Sequence, residues 1–291
     1  MFDSPQAARP GTLYIVATPI GNLRDLTFHA LDVLRTADLI AAEDTRNSQG
    51  LLSAYGIQAR LTPLHEHNEE VAAQRLVATL QEGKSVAYVS DAGTPGISDP
   101  GARLVSAARN AGVTVVPIPG ASAVATALSV SGLEAPWLFV GFLPAKPGGR
   151  RKALEGLRDL PHALVFYEAP HRILETVADL ATVLGGERRI LFARELTKRF
   201  EQLHACPLAD ATAWLEADEN HQRGEFVLVL DPPAAREDDG DAEARRVLAL
   251  LLEEELPVKQ AAHLAAKLTG ARKNALYQIA LEMKKQGEDH E

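Results

Sequence analysis

The sequence predicts a two-domain α/β protein that ends in a small all-helical domain. From Leu13 onward, short apolar runs alternate with longer stretches of helical period, a pattern typical of α/β layering. The chain has 291 residues, of which 46% are hydrophobic, so it can bury more than one core. After an acidic, proline-containing segment at residues 231–243, only helical periodicity remains.

Eight apolar runs are predicted to be strands, because most are rich in the Val, Ile, Leu and Phe typical of strands buried on both faces. They lie at residues 13–17, 38–43, 85–90, 113–118, 137–143, 163–168, 189–193 and 225–230. Stretches between them, such as LTFHALDVLRTA, have the spacing of amphipathic helices. The second half also contains an amphipathic run, FEQLHACPL.

Composition suggests where the domains divide. The segment 133–151 holds three prolines and three glycines, which predicts a boundary near residue 130. In the C-terminal part, two amphipathic helices separated at Thr269 and Gly270 indicate a helix-turn-helix. We therefore predict α/β domains at 1–130 and 131–232, an acidic linker at 233–243 and a helical domain at 244–291.

The charge balance restricts the partners of the protein. Thirty Lys and Arg against 39 Asp and Glu give a net charge of -9, which argues against coating nucleic acid by bulk charge. Residues 258–285 reverse this balance, since six basic residues against one Glu give +5. This local basic patch indicates either a solvated helix surface or a nucleic-acid contact.

Cysteine usage and hydropathy indicate the compartment. Cys206 is the single cysteine, so no intramolecular disulfide can form. No apolar run of 18 residues and no signal-like start is present. We expect a soluble cytoplasmic protein without a membrane partner.

Three glycine-containing turns follow predicted strands: VATPIGNLRD at 16–25, DAGTPGISDPG at 91–101 and PIPGASAVATAL at 117–128. Open α/β sheets bind ligands at the carboxyl ends of their strands, so these turns predict a ligand site. The first turn lacks G-x-G-x-x-G, which disfavours a dinucleotide site and an ordinary class I methyltransferase. No phosphate-binding G-x-x-x-x-G-K-[ST] occurs. The alternative, structural use of Asp99 or Ser98 in the second turn is to cap a helix that begins near Gly101.

Two polar clusters follow later strands. FYEAPHRILET places Glu168, His171 and Arg172 between a strand and a helix, and FARELTKRFEQ places Lys198 and Arg199 at another strand exit. Each cluster fits either a reactive group or a structural ion pair. HEHNE at 65–69 does not have zinc-ligand spacing, so we predict no metal site.

Taken together and in this order, VATPIGNLRD, AAEDTR, DAGTPGISDPG, PGASA, FYEAPHR, ARELTK and GEFVLVL resemble the tetrapyrrole methylase superfamily. Within it they resemble the branch of 16S rRNA ribose 2'-O-methyltransferases, and the terminal helices resemble that branch's helix-turn-helix extension. The resemblance implies a class III methyltransferase of two α/β domains with S-adenosylmethionine in the cleft between them. It also implies a homodimer that methylates a cytidine in the decoding region, cytidine 1402 in the family's rRNA numbering.

The same resemblance implies a set of cofactor-binding residues. These are Pro19, Asp91, Gly93, Thr94, Pro95, Ile97, Ser122, Ala123, Tyr167 and Ala193. This chain departs from the tetrapyrrole-type pattern at Thr94, where those members carry Asp.

A 2'-hydroxyl becomes a better nucleophile when a base removes its proton. Candidates at strand exits are Asp44, Asp91, Glu168, His171 and Glu195. The Gly-rich basic segment AKPGGRRK is predicted to be a loop that is flexible when empty and ordered on phosphate, or else a solvated interdomain loop. The predicted RNA contacts are Arg24, Lys146, Arg150, Arg151, Lys152, Lys259, Lys267, Arg272 and Lys273, on 16S rRNA within the small ribosomal subunit.

Two other functions fit the residues. One is a methyltransferase acting on a small tetrapyrrole-like metabolite, and the other is a non-catalytic RNA- or protein-binding module. Binding of S-adenosylmethionine would distinguish either enzyme from the non-catalytic module. The acceptor of the methyl group would distinguish the two enzymes from each other. The basic terminal helices favour RNA.

Overall fold

The computed structural model describes residues 7–234, 239–254 and 256–288. The chain forms two compact units, Met1–Pro233 and Ala234–Glu291. The first unit is α/β and contains both sheets, and the second is helical. An α/β unit followed by a helical unit is the fold class that the sequence predicts.

The first sheet has five parallel strands in the order β3-β2-β4-β1-β5. Its strands are Thr12–Val16 (β1), Leu39–Ala42 (β2), Leu61–Pro63 (β3), Val86–Val89 (β4) and Thr114–Ile118 (β5). The helices that follow them are Phe28–Thr36 (α1), Thr45–Ala54 (α2), Glu69–Gln81 (α3), Ala102–Asn110 (α4) and Ala123–Ser129 (α5). Four of the five strands match predicted runs; β3 was not predicted.

The sequence of β4 explains why this sheet is covered on both faces. Ala87 and Val89 pack into a core that includes α1 and α2 residues, whereas Val86 and Tyr88 pack into a core with α3 and α4. All four residues are buried. An uninterrupted apolar strand therefore holds helices on each side of the sheet.

The second sheet is mixed, with the order β6-β7-β10-β8-β9. Its strands are Trp137–Phe142 (β6), Ala163–Glu168 (β7), Arg189–Arg194 (β8), Gln202–Pro207 (β9) and Phe226–Leu230 (β10). β6 and β7 are parallel, and the other neighbours are antiparallel. The helices of this half are Pro147–Glu155 (α6), Ile173–Leu184 (α7) and Leu208–Glu216 (α8). The amphipathic run FEQLHACPL contains β9.

The two halves of the α/β unit share an apolar layer. One face of the second sheet packs on α6, α7 and α8. Its other face contributes Val165 and Val227 to a cluster with Val124 and Ala127 of α5, from the first half. The chain segments of the two sheets, 12–118 and 137–230, are separate, and division of this unit into domains at residue 130 stays a prediction.

The helical unit consists of Asp239–Glu253 (α9), Val258–Thr269 (α10) and Lys273–Glu288 (α11). Its core contains Leu248 of α9, Ala261 and Ala265 of α10, and Leu276 of α11. Gly270, in the left-handed conformation at φ 75°, ends α10, so the predicted break between the two terminal helices is confirmed.

Two predictions about local structure are wrong. The linker predicted at 233–243 is too long, because α9 begins at Asp239; its residues 235–238 lie outside the described part of the chain. AKPGGRRK is not a flexible loop, since Pro147 begins α6 as an N-terminal helical residue and the helix includes both glycines.

A buried carboxylate caps α4. Neither Asp99 nor Ser98 accepts a hydrogen bond from this helix; its N-cap residue, Gly101, has no side chain to do so. Instead Glu69 Oε1, from the start of α3, accepts from the backbone N–H of Gly101 at 2.8 Å and of Arg103 at 3.0 Å. Glu69 is 8% exposed, so the cap comes from another helix and the alternative capping role of Asp99 or Ser98 is not found.

In the described residues, no helix has both the length and the apolar character needed to cross a bilayer.

Replacing Glu69 with Ala should reduce the free energy of unfolding by about 1–3 kcal/mol, because two helix N–H groups lose their acceptor. Urea unfolding measures this change. Glu70→Ala is the matched control: its side chain is 67% exposed and its carboxylate lies 3.6 Å from Arg103. That control should change stability by no more than about 0.5 kcal/mol. Equal losses in the two variants would contradict the cap.

Candidate active site

Backbone hydrogen bonds join the first two strand-end loops. We call residues 17–22, 90–101 and 119–122 the first, second and third loops. The N–H of Thr18 donates to the carbonyl of Gly93 at 2.8 Å, and the N–H of Gly93 donates back to Thr18 at 3.0 Å. Thr94 Oγ1 then donates to the carbonyl of Ala121 at 3.1 Å. The three loops thus form one connected surface at the carboxyl edge of the sheet.

Gly93 is required where the first two loops meet. Its φ of 78° lies in the left-handed region, which side chains rarely adopt. A Cβ here would lie 3.3 Å from Cγ2 of Ile20 in the first loop. The absence of a side chain therefore allows the two loops to approach.

The end of β7 is held by Glu168, whose side chain is buried. Its Oε1 accepts from the N–H of Ala169 at 2.8 Å and lies 3.3 Å from Arg172 Nε. Its Oε2 accepts from Thr176 Oγ1 at 2.6 Å. Arg172 also donates to the carbonyl of Leu143 at 2.6 Å. These contacts fix residues 169–172 at the start of α7.

The loop at residues 195–201, which follows β8, is strained and firmly held. Glu195 and Thr197 have φ of 51° and 65°, at a cost of about 1–3 kcal/mol each. Lys198 Nζ lies 2.8 Å from Glu195 Oε1 and 2.7 Å from Glu225 Oε2. Although burial opposes the shift, these carboxylates raise the pKa of Lys198. Of the two alternatives for ARELTK, the structural ion pair is present.

The first loop packs directly on this strained segment. A Cβ on Gly21 would lie 2.4 Å from Cγ of Lys198 and 2.9 Å from Oγ1 of Thr197. Glycine is therefore needed at this contact between the first loop and residues 195–201.

A cavity of about 460 Å³ lies among these loops. This size is within the range of about 300–1,000 Å³ found for small-molecule sites. Both halves of the α/β unit line it. The lining residues are Ile20, Ala92, Gly93, Thr94, Ile97, Ser98, Asp99, Ser122, Ala123, Phe142, Tyr167, Glu168, Ala169, Pro170, His171, Ala193, Leu196, Lys198, Glu225, Phe226 and Val227.

Most residues predicted to bind the cofactor line this cavity: Gly93, Thr94, Ile97, Ser122, Ala123, Tyr167 and Ala193. Three others, Pro19, Asp91 and Pro95, do not line it. Asp91 is occupied elsewhere, since its carboxylate accepts from the N–H of Asp44 at 3.1 Å and from Asn47 Nδ2 at 2.9 Å. Asp91 therefore positions the start of α2.

Burial shifts the pKa of two side chains that line the cavity. Burial raises the pKa of Asp99, and the charge of Asp91 adds to the shift. Burial also raises the pKa of Tyr167, whose ring meets Phe139 and Phe142 edge-on at 5.0 and 5.6 Å. A carboxyl and a phenol whose ionisation is disfavoured thus line the cavity together with apolar and charged side chains.

Besides Asp91, three of the predicted catalytic bases are occupied by structural contacts. Both oxygens of Glu168 are engaged as described above. Asp44 caps α2 by accepting from Arg46 N–H at 2.7 Å and does not line the cavity. Glu195 is paired with Lys198 and accepts from the N–H of Glu225 at 3.0 Å. Burial opposes the shift, yet these partners lower the pKa of Glu195.

His171 is the predicted base that remains open to a substrate. It lines the cavity and is exposed to solvent. Glu168 and Arg172 fix the backbone on either side of it. The imidazole is thus presented at the cavity on a rigid turn.

The prediction that Arg150 contacts RNA is wrong. Its side chain is 1% exposed, and its Nε lies 2.6 Å from Asp179 Oδ2 while its Nη2 lies 3.2 Å from Glu175. A guanidinium paired inside the protein cannot reach a phosphate. Arg151 also pairs with Asp179, at 2.6 Å, but its side chain stays 58% exposed.

The other predicted RNA contacts are exposed: Arg24, Lys146, Lys152, Lys259, Lys267, Arg272 and Lys273. Arg24 lies in a 3-10 turn at Leu23–Asp25 that follows the first loop, and Lys146 precedes α6.

Sequence reasoning did not assign Asp99, Phe142 or Phe226 to the cavity. Asp99 belongs to DAGTPGISDPG, a predicted ligand-binding turn, but the individual role considered for it is a helix cap. Phe142 and Phe226 were interpreted as strand residues, and strand pattern alone does not show which end faces a ligand. No group of acidic, His or Cys side chains among the described residues is arranged to hold a metal ion.

Comparisons with known proteins agree with this architecture. The family described as Tetrapyrrole (Corrin/Porphyrin) Methylases matches residues 12–212, and the RsmI C-terminal HTH domain matches residues 238–284. Two similar solved structures show the same fold. The methyltransferase CobJ has a TM-score of 0.58 at 21% identity, covering 78% of this chain and 96% of its own. Uroporphyrin-III C-methyl transferase from Thermus thermophilus, complexed with S-adenyl homocysteine, has a TM-score of 0.54 at 18% identity, covering 76% and 97%.

Curated relatives are much more similar. The Ribosomal RNA small subunit methyltransferase I of Escherichia coli O157:H7 is 53% identical over 273 residues, covering 94% of this chain and 95% of the relative. The protein of the same name from Pseudomonas aeruginosa is 52% identical, covering 94% and 97%. Similarity of this extent and the two domain matches show that the chain belongs to the tetrapyrrole methylase family, with the ribosomal RNA small subunit methyltransferase I proteins as its relatives.

Proposed function

We propose that this protein transfers a methyl group from S-adenosylmethionine to the ribose 2'-oxygen of a cytidine in the decoding region of 16S rRNA. The observation that carries the proposal is the identity of 52–53% over 94% of the chain to proteins named Ribosomal RNA small subunit methyltransferase I. The arrangement of the cavity supports the cofactor, and the exposed basic residues support the substrate.

The cavity residues fit S-adenosylmethionine. Small residues, Gly93, Ser122 and Ala123, leave room at the three loops. Apolar walls at Ile97 and Ala193 suit an adenine ring. Asp99 supplies an acidic side chain at the second loop, where Thr94 departs from the tetrapyrrole-type pattern. When bound, the cofactor supplies a methyl group on a positively charged sulfur.

The protein's own contribution is mainly positional. An in-line displacement requires the attacking oxygen, carbon and sulfur to be aligned, and fixed loops supply that alignment. The Thr18–Gly93 hydrogen bonds and the Glu168 contacts hold the walls on opposite sides of the cavity. Phe142 and Ile97, 54% and 49% exposed, are apolar groups at the cavity that a bound substrate would cover, which excludes water during transfer.

We propose His171 as the group that accepts the proton of the 2'-hydroxyl. Imidazole is the side chain that most often acts as a general base, and His171 lines the cavity without an internal ion pair in the described residues. Glu168 acts on it indirectly, as a positioning residue, by fixing the turn that carries it.

We propose that the exposed basic side chains bind the RNA backbone. Lys259, Lys267, Arg272 and Lys273 all lie in or next to α10 and α11 of the helical unit. Phosphate contacts from such a patch overcome the repulsion due to the net charge of -9. Arg24, Lys146, Arg151 and Lys152 supply further cations on the α/β unit.

The proposal includes a cytoplasmic homodimer that acts on the small ribosomal subunit. The edge strands β6 and β9 carry exposed Trp137, Leu138 and Leu203, at 50%, 39% and 44%. These strands lie at opposite edges of the second sheet. An exposed apolar edge strand is normally covered, and a second copy of the chain would cover one of the two. Light scattering that gives the 31.3 kDa mass of one chain at micromolar concentration would refute the dimer.

Incubation with methyl-labelled S-adenosylmethionine and small subunits from a strain lacking the activity should label one cytidine ribose of 16S rRNA. Mass mapping of nuclease fragments locates the label. His171→Gln should reduce kcat about 10²- to 10⁴-fold while leaving cofactor affinity unchanged. Label on a porphyrinoid instead of RNA would support the metabolite enzyme, and no cofactor binding would support the non-catalytic module.

Gly93→Val should weaken S-adenosylmethionine binding at least about tenfold, because the added side chain strains the junction of the first two loops and intrudes on the cavity. Calorimetry measures the change in Kd. Gly83→Val is the control for backbone strain, since Gly83 has a φ of 85° but no atom within 4 Å of its Cβ position. Unchanged affinity in a folded Gly93→Val protein would show that S-adenosylmethionine does not bind beside Gly93.

A further inference from the structure

We propose that Arg199 and Phe200, at the tip of the 195–201 loop, form a docking site for a single-stranded nucleotide that flanks the methylated one in the RNA. The inference rests on the proposed function. It concerns a surface that neither the cavity nor the basic terminal helices account for.

Both side chains face solvent. Phe200 is 65% exposed, and Arg199 is also exposed. The guanidinium carbon of Arg199 lies 5.6 Å from the centre of the Phe200 ring. In the described part of the chain Arg199 forms no ion pair, whereas the adjacent Lys198 is paired with two carboxylates. A large apolar ring and a cation are thus left available together.

The loop that presents them is built to hold one shape. Glu195 and Thr197 are the non-glycine residues with positive φ among those described. Thr197 N–H donates to Glu201 Oε2 at 2.6 Å, and Lys198 N–H donates to the carbonyl of Glu195 at 3.0 Å. Backbone strain of this kind persists only where surrounding contacts, here these hydrogen bonds, maintain it. Such strained segments are typical of ligand-binding sites. The tip is therefore presented with little freedom to lose on binding.

The tip is adjacent to the site of chemistry. Leu196 and Lys198, from the same loop, line the cavity. Gly21 of the first loop packs on Thr197 and Lys198. A ribose placed at the cavity would therefore have its neighbouring nucleotide near residues 199 and 200.

The chemistry of the pair favours RNA. Single-stranded bases stack on exposed aromatic rings and on guanidinium planes, while Arg binds the phosphates between them. A ring that accepts a base and a cation that accepts a phosphate correspond to one nucleotide. In a chain of net charge -9, an unpaired Arg beside the cavity also attracts the RNA backbone locally.

The test compares Phe200→Ala and Arg199→Ala with wild type in the full-length protein. Methyl transfer to small subunits gives KM and kcat, and fluorescence anisotropy gives the Kd of a ten-nucleotide oligocytidine RNA over a series of salt concentrations. Phe200→Ala should raise the oligonucleotide Kd about 5- to 150-fold, the loss expected for one stacked base. Arg199→Ala should reduce the magnitude of the log–log salt slope by about 0.7.

Controls separate a specific role from general damage. Phe200→Trp and Arg199→Lys should retain stacking and charge, and so should restore most of the binding. Val71→Ala on α3 and Arg109→Ala on α4 remove an exposed apolar and an exposed basic residue elsewhere and should bind RNA as wild type does. S-adenosylmethionine affinity and melting temperature should not change in any variant.

Two results would overturn the inference. One is wild-type KM, oligonucleotide Kd and salt slope in both alanine variants, while wild type methylates small subunits; the proposed function would then stand alone. The other is weaker binding of subunits with unchanged binding of the oligonucleotide, which would assign the tip to a ribosomal protein. If wild type methylates no rRNA but the variants lose oligonucleotide binding as expected, the proposed function fails and the docking site remains.

Discussion

The pair of hydrogen bonds between Thr18 and Gly93 is the constraint on which the site depends. Thr18 follows β1 and Gly93 follows β4, strands that are neighbours in the first sheet. Their mutual bonds fix the first loop against the second, and Thr94 extends the link to the third through Ala121. The first loop then contacts residues 195–201 at Gly21. The Thr18–Gly93 hydrogen bonds and the Gly21 contact thus connect both halves of the α/β unit around the cavity.

The convergence of the three loops was predictable from sequence because of strand direction. Apolar runs without polar alternation indicate parallel, doubly covered strands, and the carboxyl ends of such strands share an edge. Consequently seven of the ten predicted cofactor residues line one cavity. β3 escaped prediction because it has three residues, one of them Pro63, and lies at a sheet edge.

Errors in the sequence analysis arise where a partner lies far along the chain. From sequence, Arg150 is interpreted as an exposed cation in a glycine-rich segment. In the structure it forms a buried ion pair with Asp179, 29 residues later in the chain. The cap of α4 comes from Glu69, 32 residues before Gly101. Glu168 is a candidate base in the sequence, but in the structure Thr176 and Arg172 contact its carboxylate oxygens. Side-chain chemistry is visible in sequence, but its pairing depends on tertiary structure.

The central claim is that the three linked loops act as one cofactor site, and hydrogen–deuterium exchange of the full-length protein with and without S-adenosylmethionine tests it most directly. Slower exchange is expected, on cofactor addition, in peptides covering all three loops: residues 17–22, 90–101 and 119–122. Peptides from α9 to α11 should exchange at the same rate in both states. Protection confined to one loop, or centred on the helical unit, would show that the three loops do not form one cofactor site.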